Sequence, residues 1–137
     1  MGTGFTTKQV QALRERDGNV CLWLGYDTGR LVPNHRASRG MGGSRRLNTL
    51  ENAVLIDSLV NGRLESDAEL ARMASARGIK IPRWADPAAV PIFDQHLWQW
   101  FVLEGDTRRR VDGATAIEMM QDVYGDKWAG WSVDWRN

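Results

Sequence analysis

The chain reads Leu31-Val32-Pro33-Asn34-His35-Arg36-Ala37-Ser38-Arg39-Gly40-Met41-Gly42-Gly43-Ser44-Arg45-Arg46 in its first half. A short apolar run ends in an adjacent Asn and His, and a segment rich in Gly and Arg follows. Glycine permits positive φ and close backbone approach, so this segment predicts a loop. Thr49 is a favourable N-cap for a helix that carries Asn52 to Leu59, and Asn61 stands nine residues after Asn52.

A second strand is predicted upstream of the polar pair. Val20 to Leu24 is an apolar run of strand length, and the segment from Gly25 to Gly29 has the composition of a turn. Leu31 to Asn34 would then be the returning strand of a hairpin. Together with the helix after Thr49, this pattern predicts two strands and a helix in succession.

The order of strand, polar residue with His, Gly-rich loop and helix with Asn resembles the HNH, or ββα-metal, endonucleases. The sequence from Asn34 to Ser44 is similar to the corresponding sequence in phage members of that family. The likeness is best over residues 17–66, and a weaker likeness continues from Gly78 to Asp106. The resemblance implies an α+β fold with a ββα-metal (HNH-like) core and flanking helices. It also implies a metal-dependent DNA endonuclease or nickase that is encoded by a phage.

The resemblance implies a role for each matching residue. His35 would be the general base, because an imidazole takes up and releases a proton near neutral pH. Asn34 and Asn61 stand where the family places its metal ligands, and the implied cofactor is a divalent cation, Mg²⁺ or Mn²⁺. Asn52 would brace the loop and so orient the histidine.

Two features depart from the family pattern. Both ligand positions hold neutral amides, whereas Mg²⁺ and similar cations prefer carboxylate oxygens, so we expect weak metal binding. Many family members carry two cysteine pairs for a structural zinc, but this chain has Cys21 alone, with Leu24 where a second cysteine would stand. We therefore predict no structural zinc. An alternative stays open: a catalytically degenerate HNH scaffold that acts as a DNA- or protein-binding module.

The arginines near His35 favour DNA as the partner. Between Thr28 and Leu50 the chain has five arginines and no acidic residue, although the formal net charge of the whole chain is +1. A local positive region of this kind is typical of a phosphate-facing surface, although a solvated loop can have the same composition. The residues predicted to contact DNA are Arg36, Arg39, Arg45 and Arg46.

Length and composition limit the other possibilities. A chain of 137 residues suffices for one compact domain, or for a core with an appendage. Its single cysteine excludes an internal disulfide framework. No apolar run approaches the roughly 18 residues of a membrane span, and the first residues do not resemble a signal peptide. We expect an intracellular protein without membrane association, in the host cytoplasm if a phage encodes it.

The remainder of the chain predicts a division into two parts. An HNH-like nuclease core would cover residues 1–78, and a C-terminal β/α extension rich in Trp would cover residues 79–137 and pack on that core. Capping residues predict helices after Thr6 or Thr7, from Ser66 to Arg77 and from Ala114 to Tyr124. Strands are predicted in the segments 79–82, 90–93, 97–103 and 108–111.

The tail from Asp126 to Asn137 contains Trp128, Trp131 and Trp135. Offsets of three and four residues place these side chains on one face of a helix. Such a face can be a lid that packs on the body of the protein. It can also be an exposed aromatic surface for a protein partner or for base stacking.

Overall fold

The computed structural model describes residues 4–38 and 45–136, without the side chains of Arg45 and of residues 132–136. The described chain has a mixed α+β fold, as predicted. Its helices are α1 Thr7–Asp17, α2 Ser58–Ser66, α3 Ala68–Ala76, α4 Gly113–Tyr124 and α5 Lys127–Arg136. Its strands are β1 Leu31–His35, β2 Ala53–Asp57, β3 Ile92–Asp94, β4 Gln99–Glu104 and β5 Thr107–Val111.

The strands form two antiparallel sheets within the described residues. Strands β1 and β2 pair so that Leu31 lies opposite Asp57 and His35 lies opposite Ala53. Strands β3, β4 and β5 form a meander in which β4 is central. The first sheet carries the polar pair that the sequence singled out, and helix α2 follows it directly.

The predicted hairpin is wrong in its first strand. The segment from Val20 to Leu24 forms turns instead, because Cys21 accepts a hydrogen bond from Gly25 N at 2.8 Å and donates one to Tyr26 O at 3.0 Å. The Cys21 thiol is buried, and its Sγ accepts from the backbone N–H groups of Leu24 and Asp57. The partner of β1 is therefore a strand later in the chain.

The predicted helix over Asn52 to Leu59 is also wrong. Residues 53–57 form β2, and every residue of this strand is buried. A short apolar run covered on both faces has no alternation, and such a run is ambiguous between strand and helix. The helix begins only at Ser58, because the Asp57 side chain caps it by accepting from Leu59 N and Val60 N.

Other elements agree with the sequence predictions. Thr6 and Gln9 form a reciprocal capping box at the start of α1, and Gly18 ends that helix at φ 75°. Asp112 caps α4 as predicted, whereas α3 is capped by Asp67 and not by Ser66, which is the last residue of α2. The segments predicted as strands at 90–93, 97–103 and 108–111 correspond to β3, β4 and β5, whereas 79–82 is not a strand.

Two buried apolar clusters hold these elements together. One surrounds β2 and includes Leu13 of α1, Leu64 of α2 and Leu103 of β4. The other includes Val102 of β4 and Met120 of α4. Strand β4 contributes to both clusters, so its continuous apolar run is covered on both faces. The proposed division at residue 78 remains a prediction.

The C-terminal helix packs through its first tryptophan. Trp128 is 3% exposed, and its indole Nε1 donates to Ala76 O of α3 at 3.0 Å. At Trp128, this contact favours the interpretation that the tail is a lid packed on the body of the protein. The side chain of Trp135 lies outside the described part of the chain. No helix in the described part of the chain is both long and apolar enough to cross a membrane.

Candidate functional site

The candidate site lies where β1 ends and α2 begins its second turn. Asn34 and His35 are the last two residues of β1, and Asn52 directly precedes β2. Asn61 is the fourth residue of α2. Because β1 pairs with β2 and β2 leads into α2, one hairpin and one helix position all four residues that the sequence analysis singled out.

Asn52 holds the two ends of the segment between the strands. Its Oδ1 accepts from Ala37 N at 2.8 Å, and its Nδ2 donates to Ala37 O at 3.1 Å and to Leu47 O at 2.9 Å. The side chain is fully buried. Three hydrogen bonds from one buried amide fix the backbone directly after His35, which is the arrangement expected of a bracing residue.

Asn52→Ala is expected to lower the free energy of unfolding by about 2 kcal/mol or more, because it leaves buried backbone groups without a partner. Urea denaturation of the wild type and the variant measures this difference. The matched control is Asn61→Ala, which removes a partly exposed amide and should cost less. Equal losses in the two variants would contradict the bracing role.

Asn34 and Asn61 converge on the ammonium group of Lys80. Lys80 Nζ donates to Asn34 Oδ1 at 3.0 Å and to Asn61 Oδ1 at 2.7 Å. Its third neighbour is Glu65 Oε1 at 3.4 Å, and Glu65 also accepts from Asn61 Nδ2 at 3.3 Å. An ammonium has three donors and no acceptor, so three oxygen neighbours suit it well. The two predicted ligands are therefore brought together, around a positive charge that belongs to the chain.

The environment of Lys80 is partly dry. Its side chain is 20% exposed, whereas the side chain of Glu65 is 63% exposed. Burial lowers the pKa of Lys80 from its ordinary value of 10.5, and the nearby Glu65 carboxylate acts in the opposite direction. Because the pKa of Lys80 is lower in the folded state than in the unfolded state, the unfolded state binds more protons in that interval, so the cost of burying the charged ammonium falls as the pH rises through it.

The residues around Lys80 do not fit a resident divalent cation while the ammonium holds this position. A Mg²⁺ ion needs its oxygen ligands at about 2.0–2.1 Å, and both amide oxygens already accept from Nζ. A second cation there would also repel the ammonium at short range. Within residues 4–38 and 45–136, no three His, Cys, Asp or Glu side chains are grouped as metal ligands.

His35 contacts a different set of residues. Its ring stacks on Phe5, with ring centroids 4.3 Å apart and an angle of 17° between the planes. Its Nε2 lies 2.8 Å from Asn48 Oδ1. An amide oxygen only accepts, so this contact suits a ring that carries a proton on Nε2.

One shared cation and one activated water would require the tips of Asn34, His35 and Asn61 to lie in one cleft. Asn34 and Asn61 do meet, whereas the contacts described for His35 are with Phe5 and Asn48. Successive residues of a strand point to opposite faces, and the different partners of Asn34 and His35 agree with this rule. The shared position of all three tips remains a prediction.

The structure corrects the prediction for Arg36. Its side chain is 1% exposed, and its guanidinium donates to four carbonyl oxygens, those of Gly78, Glu51, Pro87 and Val90, at 2.6–2.9 Å. Burial lowers the pKa of Arg36 to about 9, so the group is still charged at neutral pH. A buried arginine with these partners is not available to phosphate.

The other arginines predicted to contact DNA have different positions. Arg46 lies in a short 3₁₀ helix after the loop and is exposed. Arg39 lies outside the described residues, and so does the side chain of Arg45. Arg46 is therefore the one of the four whose side chain the structure places at the surface.

Sequence reasoning missed three residues that the site contains. Glu65 follows Asn61 by four residues on α2, a spacing that places both on one helical face, so this neighbour could have been found. Asn48 contacts His35 from the segment that joins β1 to β2, and Lys80 contacts Asn34 and Asn61 from the segment after α3. The proximity of Asn48 and Lys80 to the site depends on tertiary structure, and no local sequence pattern predicts it.

Comparisons of this chain with known proteins give no match. No family model, no curated protein and no solved structure is similar to it at a significant level. The interpretation of the site therefore depends on its own residues and geometry.

Proposed function

We propose that this chain is a DNA endonuclease or nickase of the HNH type, with His35 as the general base. The observation that carries the proposal is the arrangement of β1, β2 and α2. In this arrangement β1 ends in Asn34 and His35, Asn52 bonds to the segment that follows, and Asn61 shares a cation with Asn34. These four positions are the ones that the HNH resemblance assigns to base, brace and cation site.

The proposed reaction is hydrolysis of a phosphodiester. Nδ1 of His35 accepts a proton from water while the water oxygen forms a bond to phosphorus. The bond between phosphorus and the 3′ oxygen breaks, its electron pair stays on that oxygen, and a proton from solvent completes the 3′ hydroxyl. The proposal requires a phosphate at the end of β1 to approach both His35 and Lys80, although Asn34 and His35 contact different residues.

Positive charge for the phosphate is available at the same strand end. The Lys80 ammonium lies on Asn34 and Asn61, and Arg46 is exposed beyond the loop. Preorganised positive groups stabilise the charge that develops on a phosphoryl oxygen. The divalent cation implied by the HNH resemblance would have to displace Lys80 to reach the two amides.

A plasmid assay tests the proposal. Supercoiled DNA is incubated with the protein in Mg²⁺, in Mn²⁺ and in a chelator, and the nicked and linear forms are separated on a gel. We expect nicked circles to accumulate with time. Nicking in metal alone would mean that the cation displaces Lys80, whereas nicking in chelator as well would leave the ammonium as the cation of the site.

A binding module on a catalytically degenerate HNH scaffold is the second candidate. The observation that favours it is Lys80, which bonds both amides at the position where the family places a metal. Such a module would shift DNA on a gel in every condition and nick it in none. A DNA shift without nicking would therefore replace the first candidate with the second.

DNA binding is expected to depend on salt through Arg46. Each neutralised phosphate releases counterions, so Arg46→Ala should reduce the slope of log affinity against log salt concentration by about one unit. Fluorescence anisotropy of a labelled duplex at several salt concentrations measures the slope. The comparison variant is Arg110→Ala, another exposed arginine, on β5. A change with Arg110→Ala and none with Arg46→Ala would place the DNA surface on the second sheet.

A further inference from the structure

A pocket of about 580 Å³ lies beside the candidate site and shares Lys80 with it. The pocket lies between the segment after α3, the end of α4 and the start of α5. Its wall includes Ser75, Lys80, Trp84, Tyr124, Lys127 and Trp131. The volume is within the range of about 300–1,000 Å³ that is typical of pockets for small organic groups.

Three aromatic rings dominate one side of this pocket. The Tyr124 ring lies edge to face with Trp84, at 6.1 Å between centroids, and with Trp131, at 4.9 Å. Trp84 is 71% exposed, the highest exposed fraction among the large apolar side chains that remain at the surface of the described chain. An indole left open beside other aromatic rings can stack on a planar ligand.

Tyr124 also carries a polar group without a partner among the described residues. The residue is 8% exposed, and its hydroxyl is buried with no hydrogen-bond partner there. Buried hydroxyls in proteins nearly always have a partner, so an exception calls for an explanation. Burial raises the pKa of Tyr124 to about 12, so the hydroxyl is protonated at neutral pH, and a ligand that opened the wall of the pocket would meet a donor.

Two lysines give the pocket positive charge. Lys80 is held by Asn34 and Asn61 on the side of the candidate site, and Lys127 is exposed at the start of α5. A ligand with an aromatic ring and a negative group would find both kinds of partner here. A nucleotide in a DNA strand has this combination, since every base has a π face and every link carries a phosphate.

We propose that this pocket binds an unstacked nucleobase of a DNA strand, with an adjoining phosphate that takes the place of the exposed Glu65 carboxylate at Lys80. The base stacks on Trp84, and the Tyr124 hydroxyl donates to an acceptor on the base edge. This inference rests on the proposed function, because it names the substrate as single-stranded or locally unpaired DNA. A base inside an intact duplex cannot enter the pocket without leaving its stack, which costs free energy.

Binding of two labelled oligonucleotides tests the proposal. One is a mixed-sequence single strand, and the other has the same length and backbone but abasic sites in place of its bases. Fluorescence anisotropy gives the dissociation constant of each. We expect the wild type to bind the strand with bases roughly tenfold or more tightly than the abasic strand, because stacking contributes to each base that is bound.

Two tryptophan variants locate the effect. Trp84→Ala should weaken binding of the strand with bases by about tenfold and leave the abasic strand unchanged, and Trp84→Phe should restore most of the affinity. The matched control is Trp98→Ala, since Trp98 is 65% exposed and does not line this pocket. Equal affinities of Trp84→Ala and Trp98→Ala for both strands would overturn the proposal, and a protein partner would then be the better occupant.

Tyr124→Phe separates a ligand role from a structural role. It removes a hydroxyl that has no partner among the described residues, so the melting temperature should not fall. The affinity for the strand with bases should fall at least threefold. Unchanged affinity in this variant would remove the hydroxyl from the proposal.

The oligonucleotide assay is independent of DNA cleavage, and it can be repeated in a His35→Ala background. Binding that depends on Trp84 without any nicking would refute the proposed nuclease and retain the pocket. Nicking by a protein in which Trp84→Ala changes nothing would refute the pocket and retain the nuclease.

Discussion

Arg36→Met is expected to lower the free energy of unfolding by about 3 kcal/mol or more, because buried groups without hydrogen-bond partners cost about 1–3 kcal/mol each. The Arg36 guanidinium donates to four carbonyl oxygens, three of which belong to the segment 78–90, far from Arg36 in the chain. Methionine fills a similar volume but donates to none of them. The melting temperature should fall by roughly 10 °C.

The control for Arg36→Met is Arg83→Met, which makes the same change at an exposed arginine. Surface substitutions of this kind usually change stability by no more than about 0.5 kcal/mol. Denaturant unfolding followed by tryptophan fluorescence measures both variants. A loss for Arg36→Met as small as that for Arg83→Met would mean that the guanidinium does not join residue 36 to the segment 78–90.

Arg36 also shows where sequence reasoning fails. Arginines that follow a histidine in the sequence can face solvent or the interior, and the local sequence does not distinguish the two cases. Only the packing of the segment 78–90 over residue 36 separates Arg36 from the exposed Arg46. Lys80 was missed for the same reason, because it comes to Asn34 and Asn61 from 46 and 19 residues away along the chain.

The strand pairing was mispredicted for a related reason. The segments 20–24 and 53–57 are both short apolar runs, and nothing local says which of them pairs with β1. Burial on both faces makes the segment 53–57 a strand, and the Asp57 cap then shifts the start of the helix to Ser58.

Other elements could be predicted because their signals are local. The Thr6 and Gln9 capping box, the Asp112 cap and the Gly18 stop depend on residues within one helical turn. The bracing position of Asn52 came from a resemblance to a family pattern, and its three hydrogen bonds agree with that pattern. No contact in the structure tests the role of His35 as a general base, so that role remains a proposal.

His35→Ala is expected to reduce the rate of DNA nicking by about 10²- to 10⁴-fold, the usual contribution of a positioned general base. The substitution removes Nδ1, the nitrogen that would accept the proton of water. It also removes the stacking contact with Phe5 and the bond to Asn48, so thermal unfolding of the variant must be compared with that of the wild type. DNA affinity should change little, since the positive groups that hold phosphate are retained.

The control for His35→Ala is His96→Ala. His96 is the only other histidine of the chain. It is exposed, and its ring Nδ1 lies 2.9 Å from Gly25 O. It takes no part in the proposed site, so its loss should leave nicking unchanged.

The most direct test is the initial rate at which supercoiled plasmid becomes nicked circle with the wild type, His35→Ala and His96→Ala, purified in parallel. The HNH proposal predicts equal rates for the wild type and His96→Ala, and a rate at least about 100-fold lower for His35→Ala. A wild type that binds DNA without nicking it, or a His35→Ala variant that nicks as fast as the wild type, would contradict it.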